Sequence, residues 1–217
     1  YNQIAKEFSS SRHYRWPWIT QFFEDRVYSK QTHNHNKTYS LTEIRVLDIG
    51  CGNGRNIEAY NRDNISIKGI DNSSEFVSIC KNKNLDVSIG DMTNIKFPNE
   101  TFDYLISIAS FHHLGDEGSR RRCLKEMSRV LKPNGQLLLS VWSKEQPKKT
   151  KRIFDQYGDV IVPWKLKNGS IVDRYYYIFK LEEIRQLFSE TGFKVLDYQW
   201  DCGNEVFILE TKVNLSQ

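Results

Sequence analysis

The chain has 217 residues, 39% of them hydrophobic, and carries a net charge of +4. A chain this long buries roughly 70% of its unfolded surface, so its core needs neither disulfides nor a metal. No apolar run approaches the roughly 20 residues of a bilayer span, and no signal peptide is visible, so no membrane role is expected. Mild positive charge permits a nucleic-acid partner without requiring one. The four cysteines, Cys51, Cys80, Cys123 and Cys202, include no CxxC pair. That spacing argues against a zinc site and suits a reducing, cytoplasmic compartment.

Ile4, Ala5 and Phe8 are spaced for one face of a short helix. Trp18, Ile19, Phe22, Phe23 and Val27 form a second apolar stripe at helical period, with Pro17 in its first turn. Residues 29–40 are polar and read as a loop. From Ile44 the rhythm changes. Strands are predicted over 45–49, 65–70, 86–89 and 102–108, the last almost continuously apolar, as a strand covered on both faces should be. Helices fall between them over 53–61 and 73–84, the second capped by Ser73 or Ser74. A helix over 117–131 turns Leu124, Met127 and Leu131 inward. Pro133-Asn134-Gly135 ends it, and a fifth strand follows over 136–142. In the tail, Leu181, Ile184, Leu187 and Phe188 mark a helix, and two strands flank a turn at Cys202-Gly203-Asn204. The alternation predicts an α/β fold with a doubly wound, mostly parallel, seven-stranded sheet, a helical N-terminal cap and a C-terminal antiparallel hairpin. It is expected to be one domain over 1–217. The cap takes 1–43, the core 44–142, and a substrate-side insertion with the last strands 143–217.

The strongest chemical signal is Asp48-Ile49-Gly50-Cys51-Gly52-Asn53-Gly54, between a strand and a helix. Gly50 and Gly52 allow a tight turn and close backbone approach to a ligand, and the next helix offers free N–H groups. The dinucleotide pattern GxGxxG fails, because its last glycine falls at Arg55. A phosphate loop would need a lysine followed by Ser or Thr, which is missing. Asp71 ends the second strand, where a carboxylate can accept from both ribose hydroxyls, with Asn72 beside it. Asp91 follows the third strand and suits an adenine amino group, with Met92 able to pack on the ring. Ile108 closes the fourth strand. All these residues fall at the carboxyl ends of strands, where such sheets bind ligands.

The motifs VLDIGCGNG, GID, GDM and VLKPNGQLLLSVW resemble those of class I S-adenosylmethionine-dependent methyltransferases over Ile44 to Trp142. The resemblance implies that Asp48, Gly50, Cys51 and Gly52 hold the methionine part of the cofactor. It places Asp71 on the ribose and Asp91 on the adenine. The segments YNQIAKEFSSSRHYRWPW, SIASFHHL, VPW at Val162 to Trp164 and RYYY at Arg174 to Tyr177 are similar, more narrowly, to the tRNA methyltransferases that esterify 5-carboxymethyluridine at the wobble position. Fungal members carry a long basic insertion between VPW and RYY, where this chain has only Lys165 to Asp173.

That resemblance implies a tRNA anticodon loop as substrate. It also implies a small zinc-binding activator protein that pairs along a sheet edge. Methyl transfer to a carboxylate needs no strong base, because the nucleophile is already ionised at neutral pH. It does need a positive partner for the carboxylate, and Arg12 and Arg174 are the candidates. His113, after the fourth strand, is a candidate to donate to the carboxylate or to the uracil ring, whereas His112 reads as a packed residue. Tyr14, Trp16, Trp164, Tyr175 and Tyr176 suit stacked bases or the core equally. Lys144, Lys148, Lys149, Lys151 and Arg152 form one basic cluster that could meet phosphates. Arg120, Arg121, Arg122, Lys125 and Arg129 form another, on a helix. The competing functions are a small-molecule methyltransferase and a non-catalytic cofactor-binding subunit.

Overall fold

The computed structural model describes residues 1–11, 16–29, 43–148, 150 and 153–212. Arg12, Tyr14, Lys149, Lys151, Arg152 and most of the predicted polar loop lie outside them. Nine strands are present among the described residues: β1 (Ile44–Ile49), β2 (Ile65–Asp71), β3 (Val87–Ile89), β4 (Phe102–Ile108), β5 (Leu131–Trp142), β6 (Gly158–Lys165), β7 (Ile171–Ile178), β8 (Phe193–Asp201) and β9 (Asn204–Thr211). Seven form one sheet in the order β3-β2-β1-β4-β5-β9-β8. β1 to β5 run parallel, and β9 joins β5 antiparallel with β8 outside it. Strand order reverses beside β1. β2 and β4 flank it, so the connections leaving β1 and β4 depart to opposite faces and open a crevice at the carboxyl edge.

The helices are α1 (Ala5–Ser11), α2 (Pro17–Phe22, continued by a π-helical turn Phe23–Tyr28), α3 (Arg55–Tyr60), α4 (Ser74–Lys81), α5 (Glu117–Val130) and α6 (Leu181–Glu190). One face of the sheet packs on α5 and α6 through Leu124, Met127, Ile184, Leu187 and Phe188. The other packs on α2, α3 and α4 through Trp18, Ile19, Phe22, Phe23, Ile57 and Val77. Central strands therefore read as unbroken apolar runs, since neither face meets water. Phe23 stacks on Tyr60 at 4.2 Å, and the Tyr104 hydroxyl donates to the Arg26 carbonyl at 2.6 Å. The first contact fastens the turn after α2 to α3, and the second fastens it to β4. Ser73 caps α4, its Oγ accepting from the Phe76 N–H at 3.3 Å. Asp116 caps α5, accepting from the Ser119 N–H at 2.8 Å.

Two features depart from the sequence reading. Strand β5 begins at Leu131, paired with Phe102. Its register then shifts before Gln136 pairs with Tyr104. Asn134, at φ +59°, turns within the strand, so Pro133-Asn134-Gly135 is an irregularity inside β5 and not its boundary. β6 and β7, not anticipated as strands, form a separate antiparallel hairpin. Pro163 sits in β6, and a proline is tolerated in a ribbon where its missing N–H faces no partner. The hairpin tip reaches α1, where the Lys167 N–H donates to Glu7 Oε1 at 2.9 Å. Among the described residues no helix is long and apolar enough to cross a membrane.

Tyr104→Phe leaves the Arg26 carbonyl without its donor and is expected to cost about 1 kcal/mol. Urea unfolding checks this. The midpoint should fall, and hydrogen exchange at the amides of α2 should rise more than at those of α5.

Candidate functional site

A cavity of about 350 Å³ opens along the carboxyl ends of β1, β2, β3 and β4. The turn after β1 forms its floor. Gly50 adopts φ +72°, and a Cβ there would stand 2.4 Å from the Ser110 Cβ, so no other residue fits. Gly52, at φ +55°, is the opposite case. A Cβ there would meet nothing within 4 Å, because the position faces the cavity and leaves room for a ligand against bare backbone.

Asp71, at the end of β2, lines the cavity. Its Oδ2 accepts from the Gly52 N–H at 2.8 Å and its Oδ1 from the Ser73 N–H at 2.9 Å. Burial raises its pKa against the pull of these bonds. The two N–H groups fix the carboxylate while each oxygen keeps a lone pair for a ligand hydroxyl. Asp91 is exposed on the wall with Met92 half-buried beside it. Its Oδ1 accepts from the N–H and hydroxyl of Thr93, both at 2.8 Å. Asn72, Cys51 and Ile108 complete this half.

Asp48 is placed differently from its neighbours. It lies buried beneath the glycine turn, outside the cavity wall, held by Asn56 Nδ2 at 3.3 Å. Burial pushes its pKa up to about 7. Asp48 is connected to the cavity through Asn56, which does line it.

The other half of the cavity holds His113, Arg174, Tyr176, Trp142 and Tyr1. His113 ends the 3-10 turn Phe111–His113. His112 pins that turn, its Nδ1 accepting from the Trp142 N–H at 2.9 Å while its ring is fully buried. Trp142 stacks on Tyr176 at 4.0 Å with 8° between the rings, making a flat apolar wall. Arg174 is 7% exposed. Its Nη1 donates to the Tyr176 hydroxyl at 2.7 Å, and its guanidinium lies 4.8 Å from the Trp164 ring. The His113 Nδ1 lies 2.8 Å from the Tyr175 carbonyl oxygen. Burial brings the pKa of His113 down to about 4, so the ring is neutral. With Nδ1 donating to a carbonyl, Nε2 has no proton to give. The expected donation from His113 to a carboxylate does not fit this tautomer.

Trp16 lines the cavity, stacked on Trp18 at 6.0 Å. Trp164 and Tyr175 do not line it. Trp164 is wedged between Phe8 and Arg174. Tyr175 points to the other face of the hairpin, its hydroxyl donating to Asp159 and to the Gly115 carbonyl. Tyr1, Phe8, Phe76 and Ser110 line the cavity without having been singled out from the sequence as site residues. The first two lie in the N-terminal YNQIAKEF segment. Only the tertiary fold brings that segment over the β2 and β4 ends.

Residues 47–139 match the family described as methyltransferase domain. The tRNA (carboxymethyluridine(34)-5-O)-methyltransferase of Schizosaccharomyces pombe is 30% identical over 97% of this chain and 93% of its own length. The chain belongs to this family of S-adenosylmethionine-dependent methyltransferases. A relative of the same description from Xenopus tropicalis is 34% identical over 97% of the chain and 40% of its own. Among solved structures, the S-adenosylmethionine-bound amino pentose methyltransferase CalS10 from Micromonospora echinaspora superposes with a TM-score of 0.68 at 20% identity, covering 98% of both chains. It shows the shared fold. The cofactor of the methyltransferase is S-adenosylmethionine, and the cavity fits it. The bare backbone at Gly52 leaves space for the methionine part. The fixed Asp71 carboxylate suits the ribose hydroxyls, and Asp91 with Met92 suits the adenine.

Two outcomes are expected. Gly52→Ala fills the cofactor space from a strained backbone and weakens S-adenosylmethionine binding at least about tenfold by calorimetry. Asp48 has a folded-state pKa raised above its unfolded value. It therefore contributes stability below about pH 4 that is lost as pH rises towards 7. Asp71 shares that direction, and His113, whose pKa is depressed, opposes it. The difference between wild type and Asp48→Asn isolates the one group. The variant should gain relative stability steadily from pH 4 to pH 8 in urea unfolding, and a flat difference would contradict the assignment.

Proposed function

We propose that this methyltransferase acts on tRNA, esterifying the carboxylate of 5-carboxymethyluridine at the wobble position. The observation that carries the reading is Arg174. Its guanidinium is buried in the cavity wall, its Nε has no hydrogen-bond partner, and no carboxylate pairs with it among the described residues. A buried cation without a counter-ion is costly, and an anionic substrate group relieves that cost.

When bound, S-adenosylmethionine supplies an electrophilic methyl group on a sulfonium. Arg174 would bind one oxygen of the substrate carboxylate and leave the other free to form the new C–O bond as the C–S bond breaks. The stacked Trp142 and Tyr176 exclude water from the meeting of anion and cation, whose charges cancel as the ester forms. No residue has to remove a proton. Arg12 remains a second candidate cation from the segment between α1 and α2.

Support for an RNA surface is selective. On α5, Arg120 is buried against the Leu114 carbonyl and the Tyr177 ring. Arg121 pairs with Glu117 and Glu190, and Arg129 with Glu126 and nearby carbonyls. Only Arg122 and Lys125 point outward. Lys144 and Lys148, continuing into Lys149, Lys151 and Arg152, are the better phosphate contacts. Trp16 on the cavity wall and the half-exposed Tyr175 suit stacked bases. The zinc-binding activator would pair along β3. That strand has one neighbour in the sheet and leaves Ile89 66% exposed. A cytoplasmic enzyme fits this reading.

The deciding experiment is mass spectrometry of nucleosides from tRNA carrying unesterified carboxymethyluridine, incubated with S-adenosylmethionine with and without the activator. A new methyl ester at the wobble base is expected. No ester in either arm, with cofactor binding confirmed, would turn the assignment towards a small-molecule substrate. Arg174→Ala should lower kcat/KM about a hundredfold while cofactor affinity holds. Affinity for tRNA should fall steeply with added salt, and a flat response would remove the phosphate contacts.

A further inference from the structure

The Tyr175 carbonyl fixes His113 with its proton on Nδ1, so Nε2 is an acceptor in the cavity wall. The ring cannot easily turn. It sits 4.4 Å from the Tyr176 ring and 4.6 Å from His112, on a turn pinned through Trp142. The Tyr1 hydroxyl donates to Nε2 at 2.6 Å and lies 3.3 Å from Nδ1. Although Tyr1 as a whole is partly exposed, its hydroxyl is desolvated. That desolvation and the neighbouring Tyr176 hydroxyl push its pKa upward, so it keeps its proton. An imidazole nitrogen has one lone pair. Any substrate donor that bonds Nε2 must take the place of the Tyr1 hydroxyl.

We propose that His113 Nε2 accepts the ring N–H of the substrate base, displacing Tyr1, and so selects uracil over cytosine at the reacting nucleotide. The inference rests on the uridine reading above. Uracil carries a proton on the ring nitrogen between its two carbonyls. Cytosine presents a bare acceptor there, which would meet Nε2 lone pair to lone pair. A site built to accept one hydrogen bond rejects an analogue that cannot supply it far more strongly than an apolar pocket rejects a change of shape. His113 is thus assigned to base selection, and Arg174 to the carboxylate.

The test uses two anticodon stem-loop RNAs that differ only in bearing 5-carboxymethyluridine or 5-carboxymethylcytidine at the wobble position. Both are assayed with saturating S-adenosylmethionine and with the activator present. Wild type should favour the uridine RNA in kcat/KM by about a hundredfold or more. His113→Ala should lose most of the uridine rate and leave the cytidine rate where it was, so that the ratio collapses to within a few fold. His113→Gln, whose side-chain carbonyl can accept, should recover part of the ratio. Tyr1→Phe removes the competing donor and should lower KM for the uridine RNA about threefold or more.

Equal methylation of both RNAs by wild type would overturn the proposal. So would His113→Ala lowering both rates alike, which is the mark of a structural role. A raised KM in Tyr1→Phe would overturn the displacement of Tyr1. If wild type esterifies neither RNA while binding the cofactor, the uridine reading itself fails. Equal esterification of both RNAs leaves that reading standing and removes only the selection by His113.

Discussion

The site depends on how closely the turn after β1 approaches the end of β4. Gly50 has no room for a Cβ because Ser110 stands against it. The Ser110 Oγ donates to the Ile49 carbonyl at 2.9 Å and shares a hydrogen bond with the Ser107 hydroxyl at 2.8 Å. Two neighbouring parallel strands are thus tied at their carboxyl ends, where the chain would otherwise be free to splay. From one tie follow the direction of the glycine turn, the position of Gly52 over the cavity and the start of the turn that carries His112 and His113. Both halves of the cavity are built outwards from it.

Buried polar groups divide the labour. Asp71 is held by one backbone N–H on each oxygen and serves as a rigid acceptor with a lone pair to spare on each. Asp48 sits beneath the surface and supports the turn through Asn56. Arg174 lies against phenol and indole groups, and among the described residues no carboxylate pairs with it. Each environment can be derived from its partners: N–H donors hold a carboxylate in place, an amide shares a buried one, and aromatic faces tolerate a guanidinium without neutralising it. A site that pairs every group internally would have nothing left for a ligand.

Much of this was legible in the residues. The apolar runs of β1 and β4 announce strands covered on both faces. Glycines and acids at successive strand ends can be read without a structure, because the fold rule ties ligand contacts to those ends. The hairpin β6–β7 was not legible. Pro163 interrupts the expected strand composition, and the run Tyr175-Tyr176-Tyr177 hides the two-residue alternation. Once the strand is known, that alternation sorts the run: Arg174 and Tyr176 face the cavity and Tyr175 faces away. The tautomer of His113 was beyond reach as well, since it is set by a carbonyl 62 positions further along the chain. The shift of Asp48 from the wall to the layer beneath follows from the pleat at the end of β1, which its spacing to Gly50 does not reveal.

The N-terminal segment touches both halves of the cavity. Asn2 Oδ1 accepts from the Ser73 hydroxyl at 2.6 Å, beside the carboxylate of β2. Phe8 contacts Phe76 on that side and Trp164 on the other, while Glu7 holds the hairpin tip. One short helix is therefore a shared wall. A ligand in the first compartment that shifted this wall would change the fit of the second, and thermodynamic reciprocity would make the effect equal in the reverse direction. A linkage through α1 would add to the direct contact of the two ligands at the transferred methyl, and it would reside in seven residues far from the sheet in sequence.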